Sequence, residues 1–344
     1  MAINLGFGGA TLNLLSFEID LWGRLRRATQ AARAELLAAE EGRKVVVVTL
    51  VSQVATAYFQ LRELNDELDI ARRTLAAREG SLRLIEYRQG GGVSTRLDVR
   101  GAQQLVYTAA EAVPALEQLR AVTENRICVL LGENPGGVVR GLRREEQKAP
   151  PAVPPGLPSS VVERRPDVRA AEHKLIAANA RIGVARAAYF PQLSITGLLG
   201  GQSTQLSQLF AGPNDVWTFA PQLTQPVFTA GRIHSKVMLA EAQRQRALTD
   251  YQSTIQIAFA EVSNALIAHQ RSRESREKQE LLLEAIRDRT RLAYLRYRGG
   301  VDTLLNALDA DRDQFQAELK LKELRLNELL SVVELYKALG GRWQ

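Results

Sequence analysis

The chain has 344 residues, enough for a large core or two, with ordinary charged (24%) and hydrophobic (45%) fractions and few aromatics (6%). The net charge of +7 at pH 7 permits nucleic-acid binding, but the arginines alternate with glutamates along every segment and form no basic block, so no nucleic-acid partner is expected. Cys128 is the only cysteine, which excludes an intrachain disulfide, and His173, His234 and His269 have no metal-ligand spacing. With no phosphate loop and no nucleophile constellation, nothing points to an enzyme, a cofactor or a catalytic residue.

Residues 1–22 lack helical patterning. Leu15, Phe17, Ile19 and Leu21 alternate with Ser16, Glu18 and Asp20, a period of two that predicts one strand, with Gly23 ending it. Leu5 to Gly9 is glycine-rich and fits either a loop or the beginning of that strand. From Leu25 to about Gln89 the pattern is helical, and a helix of some 60 residues would be about 90 Å long. Leu61, Leu64, Leu68, Ala71, Leu75, Arg78, Leu82 and Ile85 form a heptad seam interrupted only by Arg78. No uninterrupted apolar run reaches the roughly 18 residues of a membrane helix.

A glycine turn at Gly90-Gly91-Gly92 precedes a second helix, from about Thr95 to Leu131, capped by Gly132. Residues 141–158 are proline-rich and read as a linker. Ser159-Ser160 restarts a helix that runs to about Ala188, with Arg164-Arg165-Pro166-Asp167 near its first turn. Pro191 breaks it. Leu193, Ile195, Gly197 and Leu199 then alternate with polar residues, as do Trp217, Phe219, Pro221 and Leu223 after a loop from Gly200 to Asn214. Strands of this length suit a tilted membrane-spanning β-strand. Helix resumes after Gly231, stops at Gly299-Gly300, restarts near Thr303 with Asp302 or Thr303 as cap, and ends at Gly340-Gly341.

These landmarks repeat. Val93 and Val301, Leu97 and Leu305, Gly23-Arg24 and Gly231-Arg232, and Leu131-Gly132 and Leu339-Gly340 are all 208 positions apart. An internal duplication follows, with a first repeat over 1–140, the linker 141–158, and a second repeat over 159–344.

The order helix, strand pair, long helix, glycine tip, long helix resembles the TolC-like outer-membrane efflux proteins, and within them the OprM/NodT-type branch that serves RND pumps. The resemblance is carried by Phe17-Glu18-Ile19-Asp20-Leu21-Trp22-Gly23-Arg24, Arg164 to Val168 with Ala171-Glu172, Ala187-Ala188-Tyr189-Phe190-Pro191, Phe228 to Arg232, Tyr297 to Asp302, and Leu335 to Trp343. It implies a mainly α fold in which long antiparallel helices form a trimeric α-barrel and short membrane β-strands contribute to a shared β-barrel. It also implies an outer-membrane location with a periplasmic extension, in contact with outer-membrane lipid. The partners implied are two further copies in a homotrimer, a periplasmic adaptor (membrane fusion) protein and an inner-membrane RND-type pump, with passive conduction of drugs or other small molecules. By the same resemblance, Gly92, Val93, Ser94 and Gly300, Val301, Asp302 would dock the adaptor, and Leu305, Asp309 and Arg312 would line the closed aperture.

Subtracting 208 from the helix and strand at 160–201 gives negative positions, so the first repeat is expected to lack its leading helix and first strand, along with a signal peptide and a lipid-anchor cysteine. Two alternatives compete. A soluble coiled-coil scaffold or nucleic-acid-binding rod explains the helices but has no use for three amphipathic strands. A type I secretion outer-membrane channel shares the same family features.

Overall fold

The computed structural model describes residues 2–6, 9–138, 164–203, 207, 209 and 212–341. The proline-rich linker at 141–158 and the expected helix start at Ser159-Ser160 lie outside the described residues. Four strands, β1 (Ala2–Gly6), β2 (Gly9–Ile19), β3 (Gln192–Gln202) and β4 (Asp215–Thr224), form one antiparallel sheet in the order β1-β2-β3-β4. Among the described residues there are five helices, numbered in chain order: α1 (Arg24–Gly90), α2 (Arg96–Leu131), α3 (Pro166–Ala187), α4 (Arg232–Arg298) and α5 (Leu304–Ala338).

The duplication is visible in element ends. Helices α1 and α4 are each 67 residues long, and both their first and last residues are 208 apart. Gly23, Gly92 and Gly132 have φ of 76°, 77° and 75°, and their partners at the same offset, Gly231, Gly300 and Gly340, have 81°, 72° and 74°. Only glycine adopts that left-handed geometry without steric cost, which is why the punctuation is the part of the sequence that repeats most faithfully.

Contacts divide the chain into two compact units. One comprises residues 1–43 and 166–256, the other 44–165 and 257–344, with α1 and α4 contributing to both. The first unit holds the sheet. Its register pairs Leu193 with Leu223, Ile195 with Pro221, Gly197 with Phe219 and Leu199 with Trp217, so the apolar sets read from the two strands fall opposite one another on one face. Phe17 and Ile19 of β2 continue that face against Ile195 and Leu193. A bulge in β2 between Leu14 and Phe17 inserts one residue, which brings Leu12 opposite Leu199 and onto the same face as Phe17. Phe17, Leu199, Trp217, Phe219 and Leu223 are all exposed, the opposite of a water-soluble sheet.

Two expectations are corrected. The region before α1 holds two strands and not one, because β1 pairs with Gly9–Asn13 of β2. Strand β2 ends at Ile19, short of Leu21, as Asp20 turns to accept hydrogen bonds from the amides of Leu25 (3.0 Å) and Arg26 (2.8 Å) and so caps α1. Among the described residues α3 begins at Pro166, whose missing N–H and fixed φ suit the first helical position.

The second unit is built from helical hairpins. The α1 seam is buried at Leu61, Leu68, Ala71, Arg78 and Ile85. Phe315 of α5 packs on Ala71, and Ile127 of α2 packs on Leu61. Arg165 is buried and donates to the Ala338 carbonyl at the α5 C-terminus (2.8 Å) while pairing with Glu261 (2.5 Å), so it satisfies a helix-end acceptor that would otherwise be orphaned. Cys128 is buried, as its apolar neighbours suggest. The α1 helix also contains an 18-residue stretch of mean hydropathy 1.4, apolar enough by composition to cross a membrane, which an uninterrupted-run criterion misses because Thr49, Ser52 and Gln53 punctuate it.

Candidate functional site

The two tips close in the same way. At the first, the amide of Val93 donates to the Arg88 carbonyl (2.9 Å) and that of Gly92 to the Gln89 carbonyl (3.0 Å). At the second, the Val301 amide donates to the Arg296 carbonyl (3.1 Å) and the Gly300 amide to the Tyr297 carbonyl (3.1 Å). Both are Schellman caps with glycine in the left-handed position. Each leaves a valine, Val93 or Val301, 68% exposed just past the turn.

The helices leaving the tips start differently. Thr95 and Asp98 form a capping box at α2: Thr95 Oγ1 accepts from the Asp98 amide (3.2 Å), and Asp98 Oδ2 accepts from the Thr95 amide (2.8 Å). In the second repeat Asn306 replaces Asp98, and Thr303 makes no side-chain cap. Asp302 takes over. Its Oδ1 accepts from the Thr303 amide (2.8 Å) and Asn306 Nδ2 (2.7 Å), and its Oδ2 pairs with Arg296 Nε (3.0 Å). The Arg296 hydrogen bond, with those from Asn306 and Thr303, holds this carboxyl below the usual aspartate range. Asp302 therefore ties α4 to α5 across the turn. Ser94, its counterpart by position, makes no such bridge: its amide donates to the Arg88 carbonyl (3.3 Å).

Leu305, Asp309 and Arg312 follow at steps of four and three, which places them on one face of α5. Leu305 is 64% exposed, and Arg312 Nη1 lies 3.4 Å from Asp309 Oδ1, with a second contact to Asp313 (3.2 Å). Asp313 in turn pairs with Arg289 of α4 (2.8 Å), and these arginines, Arg289 foremost, depress its pKa. The flanking face of α5 is dry. Leu304, Ala307 and Leu308 pack with Ile85 of α1 and with Ala102 and Leu105 of α2. Gly101 allows this approach, since a Cβ there would lie 3.1 Å from Leu308 Cδ1.

One feature behind this face was not legible as a partnership. Arg78, 5% exposed, donates to Asp311 Oδ2 (2.7 Å) and to the Leu105 carbonyl (3.0 Å), and its guanidinium sits 4.9 Å from the Phe315 ring centre. It thus links α1, α2 and α5 at the level of the Asp309–Arg312 pair. Burial pushes the neighbouring Tyr294 hydroxyl up to about 12, and the Asp311 charge adds to that shift. The sequence offered only a charged interruption in an apolar seam; its partner is 233 residues away. Among the described residues no cluster of His, Cys, Asp or Glu is arranged to hold a metal ion.

Comparison with known proteins agrees with this architecture. The outer membrane efflux protein family matches residues 7–133 and 157–341. The chain is 39% identical over 330 residues to the probable efflux pump outer membrane protein SepC of Pseudomonas putida, covering 96% of this chain and 68% of SepC. A membrane protein from Pseudomonas aeruginosa superposes with a TM-score of 0.90 at 37% identity, covering 96% of this chain and 77% of that one. The open state of the MtrE outer membrane channel from Neisseria gonorrhoeae gives 0.88 at 34% identity, covering 97% of this chain and 75% of MtrE. The protein is thus a member of the outer membrane efflux protein family.

Proposed function

We infer that the chain is a channel subunit of an efflux system in the outer membrane, conducting small molecules and catalysing no reaction. The observation that carries this is the sheet. Its apolar face is exposed, and among the described residues both of its outer strands, β1 and β4, have one open edge. An unpaired backbone edge costs several kcal/mol per group in lipid, so such a sheet spans a membrane only when other copies close it into a barrel. Three copies of a four-stranded sheet give a twelve-stranded barrel. Val46, Val47, Leu50 and Val51 on α1 are also exposed, and an apolar patch of this kind suits burial against a neighbouring copy.

The tips are the natural docking points for the helical adaptor of an RND-type pump, through Gly92, Val93, Ser94, Gly300, Val301 and Asp302. A valine beside a left-handed glycine is costly in water and useful against a partner's backbone. Leu305, Asp309 and Arg312 form the aperture, and the two 208-offset repeats, 1–140 and 159–344, supply matching hairpins to its wall. Expression of the protein in a strain lacking its own outer-membrane component, with the adaptor and pump present, tests the reading. Restored drug resistance is expected; an unchanged minimal inhibitory concentration with normal membrane abundance would refute it.

A further inference from the structure

A second site lies in the strand-bearing unit, away from the tips. A cavity of about 540 Å³ opens between the first turn of α1, the last turns of α3 and the fourth turn of α4. Arg27, Arg186, Arg244, Asn179 and Gln245 line it, with Glu241 as its one acidic residue. Arg186 Nη2 pairs with Glu241 Oε1 at 2.7 Å. Arg27 meets only the neutral Gln30 (2.9 Å), and among the described residues neither Arg27 nor Arg244 has a carboxylate partner. Three guanidinium groups therefore face one carboxylate around a space large enough for a small anion.

The arrangement is held locally. Gly183 lets the Arg27 stem cross α3, since a Cβ there would lie 3.0 Å from Arg27 Cγ. Planar guanidinium donors lining one space with two amide side chains suit the tetrahedral oxygens of phosphate better than a point charge does.

Its depth is informative. Arg186 lies one residue, about 1.5 Å of helix, before the end of α3 at Ala187, and Arg27 lies about 4.5 Å past the start of α1, while Arg244 lines the cavity from about 18 Å along α4. The sheet base begins at Gln192, and the segment between carries Tyr189 and Phe190, with Phe190 stacked on Trp22 at 4.6 Å. Aromatics of this kind mark the membrane interface, and headgroups extend about 5–8 Å beyond the hydrocarbon. We propose that Arg27, Arg186 and Arg244 form a binding site for a phosphate group, filled by the headgroup of an anionic phospholipid in the periplasm-facing leaflet. The lipid source rests on the outer-membrane reading; the anion site does not.

The test is native mass spectrometry of the assembled protein from nanodiscs containing equal phosphatidylglycerol and phosphatidylcholine, with inorganic phosphate added to detergent-solubilised protein in a parallel thermal-shift series. Phosphatidylglycerol is expected to be retained preferentially. Arg27→Gln with Arg244→Gln should reduce that retention at least tenfold. Glu241→Gln, which removes the competing carboxylate, should increase it, an effect that misfolding cannot produce. A phosphate-dependent thermal shift lost in the double variant, with no lipid preference, would overturn the lipid source and leave a free-phosphate site. Equal retention of both lipids together with no arginine-dependent phosphate shift would overturn the site altogether.

Discussion

Removing Asp311 and removing Arg78 should have unequal consequences. The pair is asymmetric: the Arg78 side chain is 5% exposed, whereas that of Asp311 is 25% exposed. Asp311→Ala strands a guanidinium in a dry seam, and breaking a fully buried pair in this way costs about 3–5 kcal/mol. Here Arg78 keeps the Leu105 carbonyl and the Phe315 ring, so the expected cost is lower, about 2–3 kcal/mol. Arg78→Met instead fills the seam with an apolar side chain of similar length and leaves Asp311 able to reach water, for a cost below about 1 kcal/mol. Hydrogen exchange over residues 304–315 reads the difference as local opening. Exchange there should quicken roughly 30- to 150-fold in Asp311→Ala and less than about sixfold in Arg78→Met, at about 1.4 kcal/mol per decade. Equal effects, or a larger one from Arg78→Met, would refute the reasoning that an uncompensated buried charge, and not the lost contact, dominates.

Other predictions follow the same physics. Asp309→Ala and Arg312→Ala each remove an exposed pair worth about 0.2–1 kcal/mol, so both should raise single-channel conductance and uptake of a large antibiotic while circular dichroism stays unchanged; no change in either single variant or the double would place these charges outside the aperture. Gly300→Asp and Val301→Asp should abolish resistance without lowering the amount of assembled protein in the membrane, whereas loss of assembly would assign Gly300 and Val301 a structural role alone. Because the folded-state pKa of Asp302 is depressed, its contribution is fully present above the ordinary aspartate value and is lost as pH falls through the lowered one. The second tip should therefore loosen in acid below the usual aspartate range, as read by the proteolysis rate at 299–303, and Asp302→Asn should remove that pH dependence; an unaltered profile in the variant would be the contrary result.

What the sequence revealed depended on how local each signal is. Helix ends were legible because left-handed glycines and caps act within a few residues, and Gly132, Gly300 and Gly340 stand where the pattern places them. The facing of Leu193, Ile195, Gly197 and Leu199 toward Leu223, Pro221, Phe219 and Trp217 was legible as two alternations, although not as a pairing. Strand β1 was hidden because five residues beside Gly8 and Gly9 carry too little alternation to separate a strand from a loop. The β2 bulge was hidden because an extra residue merely looks like broken periodicity. At the tips, Asp302 and Thr303 were equivalent candidates for the cap. The structure distinguishes them through Arg296, six residues back on the preceding helix, which draws Asp302 into a bridge. The Arg78 partnership was beyond reach, since nothing local to α1 names Asp311.

The most direct measurement of the central claim is edge-to-edge cross-linking in the membrane. Single cysteines at positions 3–6 of β1 are combined with single cysteines at 215–220 of β4, in a background where Cys128 is alanine. After oxidation of intact outer membranes, closure of the sheet by neighbouring copies predicts a covalent ladder ending at three subunits for the pairs in register. Monomer alone for every pair, in membranes where the protein is abundant, would contradict the account.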